Sequence, residues 1–208
     1  MAIYINQSTR VLVQGITGRQ GSFHTVQMLG YGTNLVGGVS PGKSGQAVKG
    51  VPVYGTVFEA MEEEPAEASV LFIPAPFARD AAYEAIDAGI KILVIITENI
   101  PLHDALDIME YARQNEVVVV GPNTFGLVSS GQCKIGIMPN RIFIPGPVGV
   151  VSRSGTLSYE IVGNLSAAGL GTSTVVGMGG DRVVGLSFID VLKEFEKDQD
   201  TEAVVLVG

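Results

Sequence analysis

The sequence predicts an α/β protein built on parallel β-sheets with helices on both faces. Two observations predict this class. The strand-like segments, for example 68–73 and 91–96, are continuous apolar runs rather than alternating ones, which is typical of strands buried on both faces. Segments of helical length separate these runs, so that strand, loop and helix alternate along the chain, as in right-handed βαβ units.

The first half of the chain contains five predicted strands and three predicted helices. Prolines and glycines mark their ends, as where Gly89 follows a helical segment as its C-terminal stop. The elements are strand 11–13, helix 22–29 ending at Gly30, strand 35–39, strand 68–73, helix 77–88, strand 91–96, helix 101–114 and strand 116–120.

The second half begins with a segment, 129–147, that is rich in glycine and proline, and we interpret it as a linker with a small hairpin. A second βαβ pattern follows, with strand 148–152, helix 155–168, strand 174–176, amphipathic helix 187–197 and strand 203–207. We therefore predict domains at 1–128 and 148–208, joined by the linker. Because the chain ends one residue after a buried strand, we expect it to be a truncated form of a longer protein.

Composition excludes several classes of protein. The 208 residues are 46% hydrophobic and carry a net charge of −8, and no Lys/Arg cluster alternates with aromatic residues, so a nucleic-acid surface is not expected. No apolar run reaches the ~18 residues that span a bilayer, and the N-terminus lacks a signal-like pattern, so we expect a cytoplasmic protein without membrane contact. With Cys133, His24 and His103 as the only cysteine and histidines, neither a disulfide nor a metal site is expected.

A glycine-rich loop, RVLVQGITGRQG at 10–21, is the strongest local signal. It joins the first strand to the first helix through Gly15, Gly18 and Gly21. Amides at the start of a helix have no partner within the helix and bind anions well, so the loop predicts a phosphate site. The alternative is a turn whose glycines serve only the packing of helix against strand.

The next loop indicates which phosphate ligand this is. A NAD-binding unit carries Asp or Glu about 20 residues beyond its glycine loop. Here the second strand runs into Ser40-Pro41-Gly42-Lys43 instead. A cation in this position suits a phosphorylated ribose, which leaves NADP or coenzyme A. The alternative for Lys43 is a solvated surface lysine.

A second helix start, at 152–157 (SRSGTL), repeats this pattern. Ser154, Gly155 and Thr156 can supply donors to an anion, although Ser154 or Thr156 could also be an ordinary N-cap. The G-x-S-x-G pattern of a nucleophile elbow is not matched. Tyr159 follows on the same helix and either faces this space or is a buried structural residue. We expect His24 to be packed or hydrogen-bonded and His103 to be exposed.

Several segments together resemble one family across essentially all 208 residues. QGITGRQGSFH, GGVSPGKSG, PAPF, IDAGIK, ITE-x-IP, GPNTFG, CKIGIMP and VGVVSRSGTLSYE, in this order, are similar to the alpha subunits of succinyl-CoA synthetase, the NDP-forming succinate–CoA ligases. The resemblance implies an N-terminal CoA-binding Rossmann domain followed by a partial flavodoxin-like α/β domain. It also implies site residues. Those for CoA are Thr17, Gly18, Arg19, Gln20, Lys43, Ile96, Thr97 and Glu98; Tyr159 lies near succinate, and Ser154 and Gly155 face a phosphorylated histidine.

The resemblance further implies reversible formation of succinyl-CoA from succinate, CoA and ATP or GTP, a step of the tricarboxylic acid cycle. The partner would be a beta subunit of the ATP-grasp type, in a heterodimer or heterotetramer, with the nucleotide and Mg²⁺ on that partner. Alternatives are an alpha subunit acting on malate or acetate, a non-catalytic CoA-binding module, and an NADP oxidoreductase.

Two departures from the family pattern matter. Many relatives carry GPNCPG where this chain has GPNTFG at 121–126, so the wall beside the CoA thiol differs. The phosphorylated histidine and its supporting glutamate lie in the family beyond the position of Gly208, and neither His24 nor His103 matches that histidine. We therefore expect this chain to contain no catalytic residue of its own and to be inactive alone.

Overall fold

The computed structural model describes residues 2–208, which form two β-sheets flanked by helices. The strands of the first sheet are β1 (Arg10–Gln14), β2 (Asn34–Val39), β3 (Ala47–Val48), β4 (Val51–Tyr54), β5 (Ala68–Leu71), β6 (Ile92–Ile95) and β7 (Val118–Val120). The helices that accompany them are α1 (Arg19–Tyr31), α2 (Val57–Glu63), α3 (Ala78–Asp87) and α4 (Leu102–Gln114).

The first sheet has the strand order β3-β4-β2-β1-β5-β6-β7. All its pairs are parallel except β3 with β4 at the edge. Without β3, this is the 3-2-1-4-5-6 order of a doubly wound Rossmann sheet, in which the order reverses between β1 and β5. The predicted parallel α/β sheet is therefore confirmed, and ligands of such sheets bind at the strand ends beside that reversal.

The second sheet is mixed. It contains β8 (Gly126–Ser129), β9 (Cys133–Gly136), β10 (Val148–Ser152), β11 (Thr174–Gly177) and β12 (Ala203–Val207), with helices α5 (Gly155–Ala167) and α6 (Phe188–Phe195). Its order is β12-β10-β11-β8-β9; β10 pairs in parallel with both β11 and β12, whereas the β8–β9 hairpin is antiparallel. The segment interpreted as a linker thus contributes to this sheet, and the domain limits of 128 and 148 remain a prediction.

Glycine geometry explains how the β8–β9 hairpin forms. A Cβ atom on Gly126 would lie 2.0 Å from the backbone oxygen of Ile135, and one on Gly136 would lie 2.1 Å from that of Phe125. The two strands therefore approach so closely that only glycine fits at these points. Gly136, one of the glycines that suggested a linker, therefore serves strand pairing.

The first helix also differs from its predicted bounds. α1 begins at Arg19 rather than Ser22, because Gly21 packs inside its first turn with its Cα against the backbone of Gly15. It runs past Gly30 to Tyr31 and is capped by Gly32, which adopts the left-handed conformation with φ 95°. The predicted stop at Gly89 is confirmed, since Gly89 follows α3 with φ 96°.

The cores lie on both faces of the sheets. Val11, Leu12 and Val13 of β1 are completely buried, and all four residues of β5 are buried, as the continuous apolar runs predicted. Within residues 2–208, none of the helices combines the length and the apolar character that crossing a membrane requires.

Candidate functional site

A cleft of about 1050 Å³ lies between the two sheets, at the upper end of the roughly 300–1,000 Å³ usual for ligand pockets. The start of α1 and the ends of β5 and β6 line one side, and the start of α5 with the loop after β11 lines the other. It brings together most of the predicted site residues, namely Thr17, Gly18, Arg19, Gln20, Ile96, Thr97, Glu98, Gly155 and Tyr159.

The glycine loop at the start of α1 has two roles. Gly15 has φ 76°, and a Cβ on Gly21 would lie 2.1 Å from the oxygen of Gly15, so these two glycines are required by packing of the chain on itself. Gly18 is the N-cap and supplies no side-chain cap, so the first-turn amides of α1 remain open on the side of the cleft. Such an uncapped start attracts an anion.

Thr17 fixes this loop to the neighbouring strand. Its hydroxyl donates to Oγ of Ser40 at 3.0 Å, and Ser40, which directly follows β2, is buried. The bond joins the loop after β1 to the loop that carries Lys43. Ser40 also lines the cleft, and its Oγ is the acceptor of the bond from Thr17.

Lys43 does not line the cleft in this structure. Its side chain is exposed, and no partner is seen for it within residues 2–208. Its backbone N–H donates to the oxygen of Ser40 at 3.1 Å, which anchors the turn below the free ammonium group. The assignment of Lys43 to a ribose phosphate remains a prediction.

The end of β6 is held by two hydrogen bonds. The hydroxyl of Thr97 donates to the oxygen of Ile73 at 2.6 Å, and the oxygen of Thr97 accepts from the backbone N–H of Asn123 at 2.9 Å. Ile96 and Thr97 are half-buried, and Glu98 is exposed at the rim. These residues therefore form a rigid edge of the cleft.

The start of α5 is capped by the side chain of Ser154. Oγ of Ser154 accepts from the backbone N–H of Leu157 at 3.4 Å, so Ser154 acts as an N-cap and does not line the cleft. Gly155 does line it, and a Cβ there would meet only Phe125 at 3.8 Å, an ordinary contact. Packing therefore does not explain this glycine, which leaves the backbone open to a ligand.

Arg153 lies beside this start and was not singled out by sequence. Its Nε donates to the oxygen of Gly179 at 3.3 Å, and its guanidinium also donates to the oxygen of Asp181. The side chain of Asn123 donates to Oδ1 of Asp181 at 2.9 Å. Arg153 thus stabilises the loop after β11 through these hydrogen bonds. It also lines the cleft and places a positive charge there.

Aromatic rings form the apolar part of the wall. The Tyr159 ring lies 6.4 Å from the Phe125 ring, and burial raises the pKa of the Tyr159 phenol. Next to Phe125, the hydroxyl of Thr124 donates to the oxygen of Gly177 and accepts from the N–H of Gly126, so it is fully engaged within the protein. Thr124 and Phe125 are the two residues at which this chain departs from the family pattern.

The two histidines differ. His103 is exposed, as expected. His24 is packed rather than hydrogen-bonded, because its ring stacks on Phe72 at 5.4 Å and no hydrogen bond to it is formed within residues 2–208. It also lines the cleft, which the sequence did not indicate, since its spacing on α1 alone does not say which neighbour faces it.

Comparison with known proteins assigns both halves of the chain. Residues 6–99 match the CoA-binding domain family, and residues 151–208 match the CoA-ligase family. With the Rossmann order of the first sheet and the cleft between the sheets, these matches define a protein of the CoA-ligase class.

More specifically, the chain belongs to the family of alpha subunits of ADP-forming succinate–CoA ligases. It is 57% identical to alpha subunit 2 of this enzyme from Archaeoglobus fulgidus over 208 residues, which is all of this chain and 72% of that protein. It is also 57% identical over 206 residues to the alpha subunit from Methanothermobacter thermautotrophicus, covering 70% of it. The chain is therefore shorter than these relatives.

A solved structure supports the fold. ATP citrate lyase from Methanothrix soehngenii, in complex with citrate and coenzyme A, superposes with a TM-score of 0.89 at 24% identity. The match covers 99% of this chain and 37% of that one. At this identity the likeness concerns the arrangement of the two sheets and no individual residue.

Proposed function

We propose that this chain forms the CoA site and one phosphate-facing helix start of a succinate–CoA ligase, which converts succinate, CoA and ATP or GTP to succinyl-CoA, a nucleoside diphosphate and phosphate. One observation carries the proposal: a single cleft holds the uncapped start of α1, the end of β6 and the start of α5. Two anion-binding helix starts that face one space suit a reaction in which a thiol and a phosphorylated acid must meet.

The CoA-binding residues act in three places. The first-turn amides of α1, with Arg19, bind the pyrophosphate, because the helix start concentrates positive charge there. Lys43 binds the ribose phosphate, and Ile96, Thr97 and Glu98 contact the ligand along the end of β6. Phe72, Phe125 and Ile137 give the apolar surface that the pantetheine arm requires.

The other side of the cleft binds the acid substrate and the phosphoryl group that is transferred. The backbone at Gly155 and the dipole of α5 stabilise the negative charge of the phosphoryl group. Ser154 stabilises the start of α5 as its N-cap, and Tyr159 lies beside the succinate. A beta subunit of the ATP-grasp type completes this side and holds the nucleotide with Mg²⁺. Malate or acetate is the second candidate acid, since Thr124 and Phe125 alter the wall.

Turnover by this chain with its partner is not expected. In the family a histidine of the alpha subunit carries the phosphoryl group, because neutral imidazole is nucleophilic near pH 7. The histidines of the 208 residues are His24 and His103, and neither matches that position. The chain is therefore proposed to bind CoA without completing the reaction.

The proposal is tested by titrating the purified chain with CoA and, separately, with NADPH in a calorimeter. Saturable one-to-one binding of CoA without binding of NADPH is the expected result. Binding of NADPH alone, or of neither ligand at millimolar concentration, would overturn it. Mixing the chain with an ADP-forming beta subunit and assaying succinyl-CoA then tests the second part, in which complex formation without turnover is expected.

A further inference from the structure

His24 lies in the cleft in a position that neither half of the proposed reaction uses. It follows Gln20 and Gly21 by one turn on α1, and all three residues line the cleft. At 1.5 Å per residue, His24 lies about 6 Å further along the helix than Gln20. It therefore borders the part of the cleft beyond the phosphate-binding start of α1.

The imidazole ring is held by two aromatic rings. It stacks on Phe72 with 5.4 Å between ring centroids and 6° between planes, and Phe23 meets it edge-on at 5.0 Å and 85°. Two such contacts fix the plane of the ring. Within this plane, Nδ1 is the nitrogen on the buried side.

The two ring nitrogens have different surroundings. Nδ1 is buried and has no hydrogen-bond partner within residues 2–208, whereas Nε2 is neither buried nor bonded to any of those residues. Buried N–H groups without an acceptor are rarer than buried acceptors without a donor. The proton of the neutral ring is therefore assigned to Nε2, which is the nitrogen left for the cleft.

The charge of the ring follows from the same surroundings. Burial, together with the nearby positive charge of Lys134, lowers the pKa of His24 below its usual 6.5, so the ring is neutral at pH 7. A neutral ring that carries its proton on Nε2 is a hydrogen-bond donor toward the cleft.

The part of CoA that extends beyond the phosphates carries carbonyl oxygens, in the two amides of its pantetheine arm and in the thioester of its acylated form. We propose that the Nε2–H group of His24 donates a hydrogen bond to one of these carbonyl oxygens when CoA or succinyl-CoA is bound. The inference rests on the proposed function and adds a positioning residue to it.

Two variants separate this role from packing. His24→Phe keeps a ring on Phe72 and removes the donor, whereas His24→Gln places an amide N–H near the former Nε2. Calorimetric titration of the full chain with CoA and with succinyl-CoA is the readout. We expect His24→Phe to weaken binding about tenfold, the effect of one hydrogen bond, and His24→Gln to stay within about threefold of the wild type.

The pattern of losses identifies the carbonyl. A loss with both ligands indicates an amide of the arm, and a loss with succinyl-CoA alone indicates the thioester; either supports the proposal. Equal affinity of His24→Phe and wild type for both ligands, or an equal loss in both variants, would overturn it while leaving CoA binding intact. If the wild type binds neither ligand, the proposed function fails first.

The ligand-free protein provides an independent check. The ¹⁵N shifts of the His24 ring at pH 7 should show a neutral imidazole protonated at Nε2. A ring protonated at Nδ1, or doubly protonated, would contradict the assignment whatever the binding data show.

Discussion

Thr33 and Lys134, which lie 101 residues apart, are joined by a pair of hydrogen bonds at the junction of the two sheets. The hydroxyl of Thr33 donates to the backbone oxygen of Lys134 at 2.7 Å and accepts from its backbone N–H at 3.1 Å. Thr33 follows α1 and Lys134 lies in β9, so these hydrogen bonds connect the C-terminal end of α1 to the second sheet.

Replacing Thr33 by Val should therefore destabilise the protein by about 2 kcal/mol, because both buried backbone groups lose their partner. Thr25→Val is the matched control. Its hydroxyl is also fully buried but has no partner within residues 2–208, so its removal should be neutral or stabilise the fold by up to about 1 kcal/mol. The free energy of unfolding in urea measures both. Equal effects of the two substitutions would contradict the interpretation.

Lys134 itself gives a prediction about pH. Its side chain is fully buried, its ammonium group donates to the uncharged oxygens of Met138 and Asn140, and burial lowers its pKa from 10.5 to about 8. Between these values the unfolded chain holds a proton that the folded protein has released. The contribution of Lys134 to stability therefore rises as the pH increases from about 8 to 10.5.

The measurement compares the wild type with Lys134→Met across this range. Wild type should gain stability relative to the variant as pH rises, whereas the exposed Lys91→Met should show no such trend. Groups with a raised pKa, such as Cys133 with a pKa of about 12, act in the opposite direction but are common to all three proteins. A constant difference between wild type and Lys134→Met would show that Lys134 is charged in the fold throughout.

Arg153 should control the mobility of the loop after β11. Its guanidinium holds the oxygens of Gly179 and Asp181, and the N–H of Gly180 between them donates to the oxygen of Asn123 at 3.0 Å. In Arg153→Met we expect the Gly180 amide to exchange with solvent about tenfold faster, as local opening becomes easier. Hydrogen exchange measures this, with the exposed Arg141→Met as control. Unchanged protection of Gly180 would mean that Asn123 alone holds the loop.

Much of the first sheet was predictable because strands that are buried on both faces have uninterrupted runs of apolar residues, as in 68–71 and 92–95. β3 and β4 were missed because β3 has only two residues and β4, VPVY, contains Pro52 and is not an uninterrupted apolar run. A small hairpin was predicted within 129–147, but not that it begins at Gly126 and joins the second sheet, because glycines that are needed where two backbones touch look the same in sequence as those of a linker.

The candidate site was predictable where a motif fixes backbone geometry, as at Gly18 and Gly155. It was not predictable where tertiary packing decides the direction of a side chain. Arg153 bonds to a loop 26 residues away and His24 stacks on Phe72 of another strand end, and neither contact has a local signal. Lys43 depends on a ligand for its partner, so neither packing nor spacing fixes its role.

The proposed role of Lys43 in binding the ribose phosphate provides the most direct test of the central claim, which is that this chain binds CoA. The measurement is a calorimetric titration of wild type and Lys43→Ala with CoA and with dephospho-CoA, which lacks the ribose phosphate, with the exposed Lys49→Ala as control. The account predicts that wild type and Lys49→Ala bind CoA about three- to tenfold more tightly than dephospho-CoA, as for one exposed charged contact, and that Lys43→Ala binds both equally. Equal binding of both ligands by wild type, or discrimination that survives in Lys43→Ala, would contradict it.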